Sequence, residues 1–441
     1  MKRIIFVIIV TLVSITAFSA CDDWVQNVEP QITVAEDEAL DSAAEIPFLI
    51  TGIQSRFAFV YTRLAVSADL AADQLIFDTA MPLATFPTYR DANANWGNVG
   101  NQTAYSDNTT RGFYTQLGGF RFISDDLLER IDRVEDLGQD VRDEAIFTGN
   151  FYGAVARYFT GFYMAERPCG ADAAIGSGGP ECLETLGAPI DGGPSINARE
   201  MTVDQILPRL DAAEAVATPF EQRVINTFRS RILLFLGEYD DAYTYASEGM
   251  IEGDAPFQSL HSVQSSNEFY FAAGVGRIQA IPDYRFAEYV DENPEEANRV
   301  KVVPAEVNPD RFRQDLYPEQ DSPMDFLTWQ ENELMLAEME ALHGQGVAAD
   351  ALGRVNAVRA SHDISPIVGV VDQDLIVEER DKELFLQSVR MFDQLRFNLW
   401  HAEVQGTPDT GLTGTPIGPW RGIPIPNDER NQNPDVGDGT D

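Results

Sequence analysis

The sequence predicts a mostly helical protein in which tetratricopeptide-like helical hairpins are joined by long irregular loops. Three observations predict this fold class. Apolar residues recur at helical spacing from residue 46 onward, without the alternation typical of strands. Two segments, residues 223–250 and 325–360, each contain two helical stretches separated by glycine. Strand signals are few and short, so sheets are expected to be minor.

The first twenty residues have the organisation of an export signal. Lys2 and Arg3 precede an apolar stretch, residues 4–18, that is too short for a comfortable transmembrane span. The stretch ends in "FSAC", which resembles the lipobox of bacterial lipoproteins, where cleavage occurs before a cysteine that carries diacylglycerol. We therefore expect a signal peptide at residues 1–20 and lipid attachment at Cys21. An ordinary signal peptide with an incidental cysteine is the alternative.

Domain boundaries follow from composition. Residues 21–45 are acidic and poorly patterned, which is typical of a tether. Residues 46–430 are expected to form a single domain, and residues 431–441, "NQNPDVGDGTD", a disordered tail. Beyond residue 20 no segment is long and apolar enough to cross a membrane, so membrane contact is expected through the lipid anchor only.

Charge excludes some partners. The chain has 71 acidic and 31 basic residues and a formal net charge of −40. Such a surface repels nucleic acid and anionic lipid headgroups, so neither is an expected partner.

The early part of the domain is expected to contain three helices, at residues 46–77, 112–133 and 141–166. The first two are separated by residues 82–112, which are rich in Asn, Thr, Gly and Pro. A segment of this length and composition predicts an ordered loop cluster and not a simple connection.

The central hairpin has the clearest turn. Gly237 can end the first helix in a left-handed conformation, and Asp240 or Asp241 can cap the second. The string Gly237-Glu-Tyr239-x-x-Ala242 resembles the turn of a tetratricopeptide hairpin.

A second hairpin and a long helix follow. One helix is expected to end at Gly344, another to occupy residues 347–359, and a third to run through residues 372–397, "DQDLIVEERDKELFLQSVRMFDQLRF". Charged residues in the last helix recur three and four positions apart, which predicts surface or interhelix ion pairs. Residues 254–320 are mixed and interrupted by proline.

Cys169 and Cys182 lie in a loop rich in Gly, Pro and Asp, "ERPCGADAAIGSGGPECLE". In an exported protein this pair predicts a disulfide that closes a short loop. A zinc site is the weaker alternative, because no histidine is nearby.

Several segments, in this order, resemble the SusD/RagB family of surface lipoproteins. "CDDW" is similar to the acidic signal that follows the lipidated cysteine in that family, and the other matches are "EAIFTGNFYGAVARYFTGFYMAERP", "TVDQILPRLDAAEA", "WQENELMLAEMEALHGQGVAADALGRVNAVRA", "IVEERDKELFLQSVRMFDQLRF" and "WRGIPIPNDERNQNP". The chain departs from the pattern at Gly149 and Asn150, where an Arg-Ala pair is usual. Its compact segment 254–320 also implies that any large insertion shaping the ligand surface is reduced.

The resemblance implies a location and a role. Members of the family sit on the outer face of the outer membrane as a lid on a SusC-like TonB-dependent transporter. They capture an oligosaccharide, or in some members a peptide, and deliver it to the barrel without making or breaking a bond. It also implies long irregular loops on the ligand side of the helical body, and no cofactor.

Candidate ligand contacts are aromatic and amide side chains in the predicted loops. Sugar rings pack their C–H faces on aromatic planes, while their hydroxyls need polar partners. Tyr89, Trp96, Asn101 and Tyr105 occupy the first loop cluster, and Tyr270 belongs to a second aromatic cluster, "FYF". The alternative is that these rings pin the loops to the body.

No motif predicts catalysis or metal binding. The four histidines form no His-Glu-x-x-His pattern, and neither a nucleophile elbow nor a phosphate-binding loop occurs. Two alternatives stay open. A surface glycoside hydrolase needs only two carboxylates at a suitable spatial separation, and a helical-repeat scaffold would bind another protein along an extended groove.

Overall fold

The computed structural model describes residues 40–77, 108–166, 186–275, 278–306, 311–399 and 422–436. Helices dominate these ranges. In chain order they are α1 (Ile46–Ala71), α2 (Asn108–Arg133), α3 (Gln139–Tyr163), α4 (Ala198–Met201), α5 (Leu207–Glu214), α6 (Pro219–Phe235), α7 (Tyr239–Ser247), α8 (Glu268–Ala272), α9 (Arg285–Glu292), α10 (Trp329–Leu342), α11 (Ala351–Ser361), α12 (Gln373–Glu383), α13 (Arg390–Arg396) and α14 (Asn427–Gln432). A π-helical turn, Thr202–Ile206, joins α4 to α5, and a 3₁₀ turn, Pro294–Asn298, follows α9.

The strands are short and form two-stranded sheets. They are β1 (Leu75–Phe77), β2 (Met164–Ala165), β3 (Gly187–Pro189), β4 (Ser195–Asn197), β5 (Phe257–Ser259), β6 (Ala280–Pro282), β7 (Val302–Pro304), β8 (Phe312–Gln314), β9 (Met324–Leu327) and β10 (Ile423–Pro424). Antiparallel pairs are β1–β6, β3–β4, β5–β9 and β7–β8, and β2 pairs with β10 in parallel.

Aromatic rings fill the centre of the core, where α1 and α3 pack together. Phe57 and Tyr61 on α1 stack at 5.5 Å between ring centroids, and Tyr61 also stacks on Phe159 of α3 at 5.8 Å. Phe326 of β9 contacts these rings edge-on, at 5.2 Å from Tyr61. Such offset and edge contacts add to the burial of large apolar surfaces, so this cluster ties the early helices to the later strands.

The helical hairpins confirm the predicted fold class. Gly237, with φ of 78°, ends the first hairpin helix, α6, and Gly344, with φ of 71°, follows α10. Helix α7 packs on both α6 and α10, and α10 packs on α11, so consecutive hairpins stack as in tetratricopeptide arrays. The chain is mostly α-helical with tetratricopeptide-like hairpins.

Several helix boundaries differ from the predictions. The first helix ends at Ala71, and Leu75–Phe77 form β1 instead, because they pair with β6 far along the chain. Helix α7 begins at Tyr239 after Glu238, without a side-chain cap, so Asp240 and Asp241 lie in its first turn and do not cap it.

The long helix predicted at residues 372–397 is broken between α12 and α13. Leu386 and Ser388, within the break, have φ of 59° and 67°. Partners distant in sequence hold this connection: Gln74 Oε1 accepts from the Leu386 amide at 2.9 Å, and the Tyr163 hydroxyl lies 3.1 Å from Ser388 Oγ. Apolar periodicity carries no information about such long-range bonds.

Order extends beyond both predicted ends of the domain. Before residue 46, Asp41 is bonded to Arg130 at 2.8 Å and to Arg133 at 2.8 Å. After residue 430, the Asn433 side chain donates to the Gly193 carbonyl at 2.8 Å, and Val436 is buried.

The lipidation site and the cysteine pair, Cys21, Cys169 and Cys182, lie outside the described residues, so their roles stay predictions. Across the ranges the structure describes, helices that combine the length and apolar character needed to span a membrane do not occur.

Candidate ligand-binding cleft

A cleft of about 350 Å³ opens where β5 and β9 meet the first turn of α10 and the end of α11. This volume falls within the range of small-molecule sites. Its lining combines aromatic, amide, hydroxyl and charged side chains: Asp254, Pro256, Gln258, Asn298, Arg299, Leu316, Tyr317, Ser322, Pro323, Asp325, Thr328, Trp329, Gln330, His362, Glu383 and Gln387.

Strand pairing and a helix cap position one wall. The β5–β9 register places Gln258 opposite Asp325, and Gln258 Nε2 donates to Asp325 Oδ1 at 2.7 Å. Directly after β9 ends at Leu327, Thr328 caps α10 by accepting from the Glu331 amide at 3.1 Å. The cap fixes Trp329 at the first helical position, where it is 7% exposed.

A second aromatic residue of the cleft, Tyr317, is fixed by hydrogen bonds at its backbone and at its hydroxyl. Its amide donates to Gln314 Oε1 at 2.8 Å, and its hydroxyl donates to the Leu386 carbonyl at 3.5 Å. The ring lies 5.3 Å from that of Phe269. The aromatic base of the cleft is therefore fixed by hydrogen bonds from Tyr317 to Gln314 and Leu386 and by its ring contact with Phe269.

The opposite wall is polar. His362 Nε2 lies 3.0 Å from the Glu383 carboxylate, and Asn298 Nδ2 donates to the His362 carbonyl at 2.8 Å. Arg299 Nη1 lies 3.6 Å from Glu383 Oε2. These contacts fix the orientation of groups that border the cleft.

A buried charge network stands behind this wall. Arg299 and Arg359 share the carboxylate of Glu379, at 2.8 and 2.6 Å, and Lys382 lies 3.5 Å from Glu296. Burial opposes the ionisation of Glu296, but the neighbouring cations hold its pKa below the usual value. A network in which each carboxylate has a cationic partner resists rearrangement, so it provides a rigid support for the cleft.

The predicted ion pairs in this region are therefore largely interior. Glu378 and Lys382 pair at 2.5 Å, as their spacing predicts. Arg390, in contrast, pairs with Asp73 at 2.9 Å, and Asp393 is bonded by Arg380 at 2.9 Å, so both join distant elements and not each other.

The carboxyl of Asp325 has a perturbed acidity. Burial raises the pKa of Asp325 above its usual value, although the hydrogen bond from Gln258 acts in the opposite direction. Asp254, the carboxylate at the other end of the cleft, is bonded by Arg223 Nε at 2.7 Å, and this bond lowers the pKa of Asp254.

Gln330, one of the amides that line the cleft, makes a long and weak protein bond, since its Nε2 reaches Ser361 Oγ only at 3.5 Å. Together with Gln258, Asn298 and Gln387 it gives the cleft four amides near two aromatic rings. Amides both donate and accept hydrogen bonds, as the hydroxyl groups of a sugar do. Within the described residues no cluster of three or more His, Cys, Asp or Glu side chains is placed to hold a metal ion.

Of the ligand-contact residues predicted from sequence, Tyr270 is the one the structure describes, and it does not line this cleft. Tyr89, Trp96, Asn101 and Tyr105 lie outside the described residues. Tyr270 lies on α8, half-buried, with its ring edge-on to Phe271 at 5.0 Å. The five ligand assignments remain predictions.

Sequence reasoning missed the cleft itself. Trp329 stands at the start of one of the segments that resemble the family, where its sequence predicts only a helix. Gln258 lies in residues 254–320, whose mixed pattern predicts no element. The string "FLTW" contains a signal, since threonine before a helix caps it and fixes the next residue.

Solved structures with this fold are numerous. A SusD superfamily protein from Bacteroides vulgatus matches with a TM-score of 0.67 and 14% identity over 90% of this chain and 98% of that one. A SusD-like carbohydrate binding protein from the same species matches with a TM-score of 0.60 and 15% identity, covering 90% and 98%. Surface glycan-binding protein A from Bacteroides uniformis matches with a TM-score of 0.62 and 13% identity, covering 90% and 100%.

The chain therefore has the SusD-like fold over nearly its whole length, which confirms the resemblance at the level of structure. Comparison by sequence adds nothing, because no protein-family model and no curated protein matches the chain.

Proposed function

We propose that the protein is a cell-surface, outer-membrane lipoprotein that binds an oligosaccharide and delivers it to a SusC-like TonB-dependent transporter. The observation that carries the binding role is the cleft, in which four amides border an aromatic base on a SusD-like fold. Three of the matched proteins are named for SusD or for binding carbohydrate or glycan, which supports a saccharide ligand. A peptide is the alternative ligand.

The cleft favours binding over hydrolysis. A glycoside hydrolase needs one carboxyl as acid and a second as base or nucleophile. Asp325 has the raised pKa of an acid, but Asp254 is held as an ion pair by Arg223, and Glu383 is engaged by His362. Asp254 and Glu383 thus both have a protein partner in this structure.

The anchor supports the proposed location. A lipid at Cys21 would hold the protein on the membrane surface without a spanning segment, and two or more acyl chains make such anchoring stable. A protein that captures a nutrient at the surface has to be held beside its transporter, which is the role proposed for this anchor.

Binding is tested with the lipidated full chain in mild detergent. Affinity gel electrophoresis against neutral and acidic polysaccharides identifies ligands, calorimetry measures their affinity, and chromatography of the mixtures detects any hydrolysis. We expect a polysaccharide to bind without being shortened. Retardation by none of them would contradict the saccharide assignment, and shortened products would favour a hydrolase.

Gln330→Leu tests the cleft. It removes one amide whose protein bond is weak, so we expect binding to weaken about fivefold, as one hydrogen bond is worth about 1 kcal/mol. Gln222→Leu on α6 is the matched control, because Gln222 also makes one long bond, at 3.3 Å, and does not line the cleft. Equal affinities for both variants and the wild type would place the ligand elsewhere.

A further inference from the structure

A second cavity, of about 220 Å³, lies between α2, α3 and the turn that joins β3 to β4. None of its lining residues belongs to the cleft. We call it the α2 pocket, defined by Tyr114, Gly118 and Arg121 of α2, Asp191 and Gly192 of the turn, and Glu429 of α14. Its volume is below the range of sites for drug-sized molecules, which suits a single ring.

Three residues of α2 share the face that borders this pocket. Tyr114, Gly118 and Arg121 are four and three positions apart, so they lie above one another on the helix. The helix therefore presents an aromatic ring, then a gap, then a guanidinium group along one line.

Packing does not require glycine at position 118. A Cβ built there would meet nothing within 4 Å, yet glycine inside a helix costs about 1 kcal/mol relative to alanine. A helical side chain covers the turn that precedes its own Cα, so a side chain at 118 would lie over Tyr114. Tyr114 lines the pocket and is half-buried, so glycine at 118 leaves its ring accessible from the pocket.

The Tyr114 ring is fixed in place. Its hydroxyl is hydrogen-bonded to the Glu429 carboxylate, and burial followed by this carboxylate raises the pKa of the Tyr114 hydroxyl. The ring is thus neutral, immobilised at its polar end, and available for stacking from the pocket.

An accessible ion pair closes the other end of the pocket. Arg121 Nη2 lies 2.7 Å from Asp191 Oδ1, with side-chain exposures of 19% and 74%. Asp191 and Gly192 have φ of 60° and 74°, so a tight turn brings the carboxylate to the helix. The guanidinium has further N–H donors and the carboxylate has further lone pairs, so the pair can bind hydroxyl groups as donor and acceptor together.

Charge excludes an acidic ligand. Two carboxylates, Asp191 and Glu429, line the pocket together with Arg121, and the chain as a whole has a net charge of −40. Among the lining residues that the structure describes, an anion would find no unbalanced cation, and the long-range field would repel it.

From the accessible ring, the adjacent donor and acceptor, and the absence of an unbalanced cation among the described lining residues, we infer that the α2 pocket binds one neutral pyranose unit. The sugar ring stacks on Tyr114 in the space left by Gly118, and its hydroxyls bind Arg121 and Asp191. This is a second saccharide site, and it goes beyond the single cleft of the proposed function. Two sites on one chain would let a polysaccharide bind with greater avidity than either site provides.

The test fills the gap with one side chain. Gly118→Leu projects into the pocket without a steric clash at Cβ and favours the helix. Gly119→Leu is the matched control, because position 119 has equal free space, lies on the same helix and does not line the pocket.

Calorimetry with the lipidated full chain measures stoichiometry and affinity for neutral gluco-, manno- and xylo-oligosaccharides and their polysaccharides. We expect two oligosaccharide sites in the wild type and in Gly119→Leu, and one in Gly118→Leu. Affinity for the polysaccharide should fall by about 10²-fold in Gly118→Leu alone, since avidity is lost.

Two results separate this inference from the proposed function. One site that is weakened by Gln330→Leu and unaffected by Gly118→Leu would overturn the α2 pocket and leave the cleft standing. No binding of any neutral saccharide to the wild type would overturn both.

Discussion

Gln258 on β5 and Asp325 on β9 face each other across a strand pair, and their side chains are bonded at 2.7 Å at the edge of the cleft. Residues 67 positions apart thus meet because a three-residue strand pairs with a four-residue strand, with a shift in register between Phe257 and Gln258. Asp325 is half-buried, and burial raises the pKa of its carboxyl, so the stability of the fold should depend on pH through this group.

The first prediction concerns pH. Because burial raises the folded-state pKa of Asp325, its contribution to stability is fully present below the unfolded pKa, about 3.9, and is lost as pH rises through the folded value. Asp325→Asn keeps the acceptor for Gln258 and does not titrate. The free energy of unfolding of the wild type minus that of Asp325→Asn should fall between pH 4 and pH 7 in urea titrations. A difference that is flat or rises with pH would contradict the assignment.

The second prediction concerns backbone strain at Ser388. Its φ of 67° disfavours any side chain, while its hydroxyl lies 3.1 Å from that of Tyr163. Ser388→Ala and Ser388→Gly both lose the hydroxyl, but only glycine relieves the strain. Ser388→Gly should therefore be more stable than Ser388→Ala by about 1 kcal/mol. Equal unfolding midpoints in denaturant would show that the break between α12 and α13 is not strained.

The third prediction concerns a buried ion pair that links α6 to α10. Arg231 Nε donates to Glu331 Oε1 at 2.6 Å, and both side chains are 1% exposed or less. Arg231→Met or Glu331→Leu alone leaves an unpaired buried charge and should destabilise the fold by about 3–5 kcal/mol. The double variant should recover most of this loss. Additive effects in the double-mutant cycle would show that the two charges do not depend on each other.

The fourth prediction compares two glycines with equal space around them. A Cβ at Gly237 or at Gly52 would meet nothing within 4 Å, but only Gly237 has a positive φ, 78°. Gly237→Ala should cost about 1 kcal/mol, since the hairpin turn needs the left-handed conformation. Gly52→Ala in α1 should gain about 1 kcal/mol. Thermal unfolding measures both, and a shift of the same sign for the two variants would contradict the conformational argument.

Local patterns predicted the local part of this fold. Gly237 and Gly344 end helices as their positions suggested, because a left-handed residue is a property of one position. The break at Leu386 and Ser388 was invisible, since Gln74 and Tyr163 hold it from more than 200 residues away.

The cleft could not be predicted for the same reason. Strand pairing, a helix cap and a helix end bring together Gln258, Trp329 and His362. The distances between these residues in space do not follow from their separations along the sequence. The resemblance to surface lipoproteins directed attention to Trp96 and its neighbours, which are predicted ligand contacts in a loop cluster. It did not direct attention to residues that the helical body itself positions.

The central claim is the proposal that this protein is a surface lipoprotein that captures a ligand beside a transporter, and a pull-down tests it most directly. Tagged, lipidated protein is extracted from native outer membranes in mild detergent and its partners are identified by mass spectrometry. We expect a TonB-dependent barrel to co-purify in near-equal amount. Absence of any barrel, with lipidation at Cys21 and surface exposure both confirmed, would contradict the partnership.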